Sequence, residues 1–176
     1  ELGKNGYDAV FKGAFPKLKE MQYVHHIGNS PGIVDGASLV IIGSRKAGID
    51  NDLSARAKIR AMSNVCSEEL LALTGGIEAA KDVLRKSGMS YADIDLVEFN
   101  EAFASVSIKF IQDTVWNDDQ VNVNGGAIAL GHAMGATGAS LVGTLLDELE
   151  RRDLSVGLVS VSGAAGIGTA TIIERV

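Results

Sequence analysis

One histidine sits among five glycines in the stretch Asn122-Val123-Asn124-Gly125-Gly126-Ala127-Ile128-Ala129-Leu130-Gly131-His132-Ala133-Met134-Gly135-Ala136-Thr137-Gly138. Glycines let backbone approach a ligand closely, and a helix starting near Thr137 would aim free N–H groups and a positive dipole end at this loop. The segment has the outline of a binding site, with Gly131 and Met134 beside the histidine as candidate substrate contacts. An imidazole titrates near pH 6.5, so His132 can serve as a base or donate to a developing oxyanion. The alternative is a loop histidine satisfied by backbone carbonyls. Two nucleotide motifs fail here. Gly126 and Gly131 have phosphate-loop separation, but His132 stands where that motif requires Lys followed by Ser or Thr. The dinucleotide fingerprint lacks both its glycine spacing and its later acidic residue.

Three further places could carry chemistry. Asn100-Glu101 falls at a predicted strand-to-helix junction, where layered α/β folds meet ligands, or where Asn simply caps a helix. Ser160 to Gly168 (Ser-Val-Ser-Gly-Ala-Ala-Gly-Ile-Gly) is a small-residue turn that could present a side chain and N–H groups to a reaction centre, or be a bare hairpin. It is no nucleophile elbow, because Ser160 and Ala164 occupy the flanking glycine positions around Ser162. Cys66 is followed by Glu68 and Glu69, whose charge disfavours a thiolate, so it reads as structural. His25 and His26 form no metal set with His132 on spacing, and no zinc pattern exists. No metal is expected.

The elements that must position these residues follow from apolar periodicity. Ala37 to Gly43, Arg56 to Val65, Ile94 to Phe99, Val156 to Val161 and Gly168 to Ile173 read as strands. Lys58 and Arg60 alternate with Ile59 and Ala61, which makes the second of these an exposed-edge candidate. Arg45 to Gly48 is a short helix candidate. Helical spacing places Ile77, Ala80, Val83 and Leu84 on one stripe over Gly76 to Lys86, closed by Ser87-Gly88. Ala102 to Val115 carries Phe103, Val106, Phe110 and Ile111, and Thr137 to Leu149 carries Leu141, Leu145, Leu146 and Leu149. Residues before about 30 look like a loop-rich lead-in. Helices alternating with strands, then a terminal strand pair, predict an α/β layered domain.

Composition bounds the partners. With 176 residues, 46% hydrophobic and 22% charged, the chain suits one domain with a sizeable core, or a piece of a larger one. A net charge of -6 without Lys or Arg blocks argues against nucleic acid and anionic membrane surfaces. No apolar run approaches the roughly 20 residues of a membrane span. One cysteine excludes an internal disulfide framework, so a cytoplasmic, reducing setting is expected. The first residue is Glu1 and nothing near it reads as a signal peptide, so a mature or partial chain is expected.

Four motifs now fall into one order: Gly32-Ile33-Val34-Asp35-Gly36-Ala37, Asn100-Glu101-Ala102-Phe103-Ala104, Asn122 to Gly138, and Ser162 to Gly168. Together they resemble the carboxyl-terminal half of thiolases, the acetyl-CoA acetyltransferase and 3-ketoacyl-CoA thiolase family, from about Ile27 onwards. The resemblance divides the chain into a lead-in over 1–27, the tail of the family's loop region, and a carboxyl-terminal domain over 28–176. It implies a mixed five-stranded sheet packed between helices, normally paired with a similar amino-terminal half in the same or another chain. It implies acyl-CoA and CoA as ligands, coenzyme A thioesters as substrates with no separate cofactor, and a homo-oligomer. Its site residues carry over one by one. His132 matches the histidine that activates the nucleophile and helps form an oxyanion hole, and Asn100 matches the residue holding the water that completes it. Phe103 matches a side chain lining the pantetheine tunnel, and Ala164 a position whose N–H serves a second oxyanion hole. Donors placed where charge develops are worth about 3 to 4 kcal/mol each.

Three departures qualify the likeness. The family's nucleophilic Cys belongs to the amino-terminal half, so these residues alone should not turn over. Ser162 stands where thiolases place a second Cys, and an alcohol is almost never ionised at neutral pH. Ala133 stands where the family usually has Pro. The expected activity is thiolytic cleavage of a 3-ketoacyl-CoA or the reverse condensation, with an altered carbon-carbon step. The alternatives are a catalytically degenerate acyl-CoA-binding subunit and a purely structural dimerisation half.

Overall fold

The computed structural model describes residues 5–176. Its centre is an antiparallel hairpin, β3 (Val156–Ser162) and β4 (Ile167–Arg175), whose apolar residues face both ways. β1 (Ala57–Cys66) adds to β4 antiparallel and β2 (Leu96–Phe99) adds to β3 parallel, so the sheet runs β1-β4-β3-β2. All four residues of β2 are buried, which explains its unbroken apolar character save for Glu98. β1 is the edge strand that its alternating Lys58 and Arg60 predict, and both cations pair with Glu174 of β4, at 2.9 and 2.8 Å.

Helices cover both faces. On one lie α3 (Gly75–Ser87) and α4 (Ala104–Asp113), burying Ile77, Ala80, Val83, Leu84 and Phe110 against Val97, Phe99, Leu158 and Ile172. Phe99 and Phe110 stack at 4.1 Å and Trp116 joins them. The stripe on α3 ends where Gly88, at φ 70, closes it in a left-handed cap. On the other face α6 (Thr137–Arg151) packs Leu145 and Leu149 on Leu96, Val159 and Ile173. No described helix is long and apolar enough to cross a membrane.

The sheet has four strands where five were expected. Beside β2, the fifth place is taken by one parallel bridge between Val97 and Val121, with Asn122 N donating to Val97 O. There the chain stops running as a strand. Asn122 turns to φ 51, its Oδ1 accepts from Phe99 N at 2.7 Å and its Nδ2 donates to Phe99 O at 2.8 Å. A side-chain amide thus satisfies the two backbone groups that a longer ladder would have used. The expected strand over Ala37 to Gly43 does not form either. Leu39, Ile41 and Ile42 are 86%, 74% and 73% exposed, and no strand among the described residues offers this run a ladder.

The lead-in is less loop-rich than expected. α1 (Tyr7–Ala14) forms there without burying a residue, and Phe11 stacks on Phe15 at its end. Residues 1–4 of that lead-in lie outside the described residues. The short helix near Arg45 is present as α2 (Arg45–Asp50), capped by Ser44 Oγ accepting from Ala47 N.

Candidate functional site

The carboxyl ends of β2 and β3 lie side by side, since Phe99 pairs with Ser160 and Asn100 N donates to Ser160 O. Side chains alternate across a strand, so Asn100 shares a face with Leu96, the side covered by α6. Asn100 is 1% exposed and its Oδ1 has no hydrogen-bond partner. A buried amide oxygen left unpaired costs about 1–3 kcal/mol, which marks it as a group awaiting water or ligand.

His132 stands at the mouth of the glycine-rich loop, just after α5 (Ala127–Leu130). Gly131 must be glycine twice over: its φ is 93, and a Cβ there would sit 2.6 Å from the Val34 side chain. The histidine backbone is strapped to the preceding motif, with His132 N donating to Gly32 O at 2.8 Å and Val34 N to His132 O at 3.4 Å. Ser38 Oγ donates to Ala136 O at 2.6 Å and extends the strap. On the ring, Nδ1 lies 2.8 Å from Thr137 Oγ1, and Nε2 has no partner among the described residues. Thr137, the first residue of α6, therefore fixes the ring plane and leaves Nε2 for a reacting group. Met134 is 58% exposed at φ 49, on the open side of the loop.

Phe103 is half-buried and packs on His25 at 4.7 Å, while His25 Nε2 meets Ser105 Oγ at 2.8 Å. Ser162 faces the other way from Asn100. Its Oγ accepts from Gly76 N at 2.9 Å, and Ser160 Oγ donates to Gly76 O at 2.7 Å, so two serines clasp the first turn of α3. Ala164 is exposed; the positive φ values of this turn fall on Ala165 (φ 58) and Gly166 (φ 77) and not on Ala164. Cys66 is exposed, with its Sγ 3.5 Å from Ala165 O.

The electrostatics beneath Asn100 are uneven. Glu98 is 2% exposed, and burial, helped by the charges of Glu101 and Glu148, pushes its carboxyl up to about 8. Glu148, equally buried, is drawn down to about 2 by hydrogen bonds from Arg151 and Asn124. At neutral pH one carboxyl carries a proton and the other a charge. No cluster of three or more His, Cys, Asp or Glu suited to a metal occurs among the described residues.

Three neighbours of this site are not marked out by the sequence. Glu98 stands inside an apolar strand, and Thr137 reads only as a helix start. Glu101 reads only as part of the junction, yet its Oε2 accepts from Ile128 N at 3.0 Å, across 27 residues. The one available signal was the spacing of His132 and Thr137, five positions apart at a helix entrance.

A family model described as "Thiolase, C-terminal domain" matches residues 53–175. An acetyl-CoA acetyltransferase of Thiocystis violacea is 41% identical over 175 residues, covering 99% of this chain and 44% of that protein. A steroid 3-ketoacyl-CoA thiolase of Mycobacterium tuberculosis is 45% identical over 143 residues, covering 81% of this chain and 35% of that one. The crystal structure of the Bacillus anthracis acetyl-CoA acetyltransferase superposes with a TM-score of 0.82 at 33% identity, over 85% of this chain and 38% of that chain. The chain spans less than half the length of these relatives. The order of its motifs, its mixed sheet between helices and the extent of these matches agree, and the chain belongs to the thiolase family, whose carboxyl-terminal domain it carries.

Proposed function

We propose that the complete protein carrying this chain transfers acyl groups between coenzyme A thioesters, by thiolytic cleavage of a 3-ketoacyl-CoA or by the reverse condensation. The observation that carries this reading is the buried, unpartnered Asn100 amide at the carboxyl end of β2, joined through Glu101 and Ile128 to the loop that holds His132, with Ser162 at the same end of the sheet on its other face. His132, with Nδ1 engaged by Thr137, offers Nε2 to activate a nucleophile or to donate to a thioester oxygen as charge develops on it. Asn100 holds the water that completes that hole, Phe103, Gly131 and Met134 contact the acyl-CoA, and the Ala164 N–H serves a second hole. An amino-terminal half, in the same chain or a partner, supplies the nucleophilic cysteine. The setting is cytoplasmic and the assembly a homo-oligomer, and coenzyme A thioesters are substrates with no separate cofactor.

The carbon-carbon step is altered. Proton removal from the α-carbon needs a base, and the Ser162 oxygen already accepts a hydrogen bond from Gly76 N. The same contact favours a second reading, a subunit that binds acyl-CoA without turnover. Thiolysis and thioester exchange measured on the full-length protein separate the two. Activity is expected, falling about 10²-fold or more in His132→Ala. Saturable CoA binding with no turnover would give the second reading, and neither binding nor turnover would reject both.

A further inference from the structure

Glu101 does something that the roles assigned above leave unexplained. It follows Asn100 directly, yet its side chain reaches across to the loop that carries His132. Oε2 accepts from Ile128 N at 3.0 Å, inside the four residues of α5 that end at Gly131 and His132. The contact is close on both sides. Gly126, which opens α5, has no room for a Cβ because the Glu101 carboxyl fills that space. Gly126 is not in the left-handed region (φ −125), so its requirement for glycine is steric and comes from Glu101.

The chain of contacts is continuous. Asn100 is fixed to β3 by its backbone N–H on Ser160 O. Glu101 then clasps α5, Leu130 N and Gly131 N close α5 on Gly126 O and Ala127 O, and His132 follows. On the far side the strap from Gly32 to Ser38 holds the loop, and that strap runs into the exposed Ala37 to Gly43. Among the described residues Asn122 ties the start of the loop to Phe99, and Glu101 is the side chain that ties α5 itself, the turn that delivers the histidine, to the Asn100 strand end. We infer that Glu101 is a positioning residue of the acyl-transfer site: it sets the separation between the Asn100 amide and the His132 imidazole without touching substrate. This rests on the acyl-transfer reading given above. A displacement of about 1 Å in such a pair is enough to cost roughly 10²-fold in rate.

The test uses the full-length protein. Glu101→Ala is expected to lower kcat at least tenfold while KM for acyl-CoA changes less than threefold. Glu101→Gln, whose side-chain carbonyl can accept the same Ile128 N–H, is expected to recover most of the loss. Gly126→Ala pushes on the same contact from the other side and should reproduce the kcat defect. The double variant Glu101→Ala/Gly126→Ala should be no worse than Glu101→Ala alone, because removing the carboxyl makes room for the new methyl. Amide hydrogen exchange at Ile128 to Gly131 and the His132 imidazole resonances give a readout apart from activity: both should move in Glu101→Ala and stay in Glu101→Gln. Additive losses in the double variant, or an unchanged kcat in Glu101→Ala, would overturn the inference. Should the wild-type protein show no turnover while exchange and resonances respond as described, the acyl-transfer reading fails and the positional link stands. Melting temperatures of all variants identify any that fail to fold; should Glu101→Ala be among them, Gly126→Ala decides the outcome, since unchanged kcat and unchanged His132 resonances in that variant would overturn the inference.

Discussion

Burial, helped by the charges of Glu101 and Glu148, keeps the Glu98 carboxyl neutral up to about pH 8. Its folded affinity for the proton exceeds the unfolded one, so stability is fully present below the ordinary carboxylate range and is lost as pH rises toward 8. Replacing it by Glu98→Gln should flatten the fall in melting temperature between about pH 4.5 and pH 8 and stabilise the protein at pH 8 by a few kcal/mol at most. A wild-type melting curve already flat across that window would show that the carboxyl is ionised and this account wrong. Gly76 offers a second test at this scale. A Cβ there would lie 2.7 Å from Ser162 Oγ and 3.0 Å from Ser160 Oγ, so Gly76→Ala should cost roughly 1–3 kcal/mol in chemical unfolding. Combined with Ser162→Ala the cost should be less than additive, because the nearest obstructing atom is gone; full additivity would mean that the serine clasp on α3 is not what excludes the methyl.

Elements with a single apolar face were readable from the chain alone, because their period survives whatever they pack against. The stripes of α3 and α6 and the paired strands at the end of the chain have that property, and β1 announced its edge position through Lys58 and Arg60. Two elements were not readable, for opposite reasons. At Asn122 a side chain replaces a ladder, and no pattern of polarity distinguishes an asparagine that bonds water from one that bonds the Phe99 backbone. At Ala37 to Gly43 the apolar run is real, but a sequence does not say which chain segment covers it. The site divides likewise: His132 and Asn100 stand out by type and setting, whereas the contact of Glu101 with Ile128 depends on how a loop folds back. The uncovered run makes a prediction about elements. Leu39, Ile41 and Ile42 are exposed here, and the relatives are more than twice as long, so in the full-length protein this run should gain strand partners. Amide exchange at residues 39–42 should be slow in the full-length protein and fast in the 176-residue chain. Equally fast exchange in both would show that the run stays uncovered.

At the scale of the molecule, exposure and chemistry coincide. Ile33, Leu130 and Met134 flank His132 and are 80%, 68% and 58% exposed, and the strap beside them leads straight to Leu39, Ile41 and Ile42. Exposed apolar side chains gathered beside one loop mark a binding face, because folded domains seldom leave such surface open. Cavities of about 620 and 1010 Å³ lie elsewhere, lined by none of Asn100, Phe103, His132 and Ser162, and around His132 the side chains of Leu130 and Met134 stand open to solvent, so this part of the site is an exposed wall. An oxyanion hole works by excluding water from preplaced donors, and a wall exposed to solvent gives up much of that advantage. On the acyl-transfer reading the 176-residue chain alone, with its wall open and the nucleophilic cysteine on the other half, should show no acyl-CoA hydrolysis or exchange above background, whatever its intact fold. Adding the separately expressed amino-terminal segment should restore rate and slow exchange at residues 39–42 together, since the strap couples that run to the His132 backbone. Restored rate without protection of the run would separate the docking face from the strap and leave the two as unconnected features of one surface.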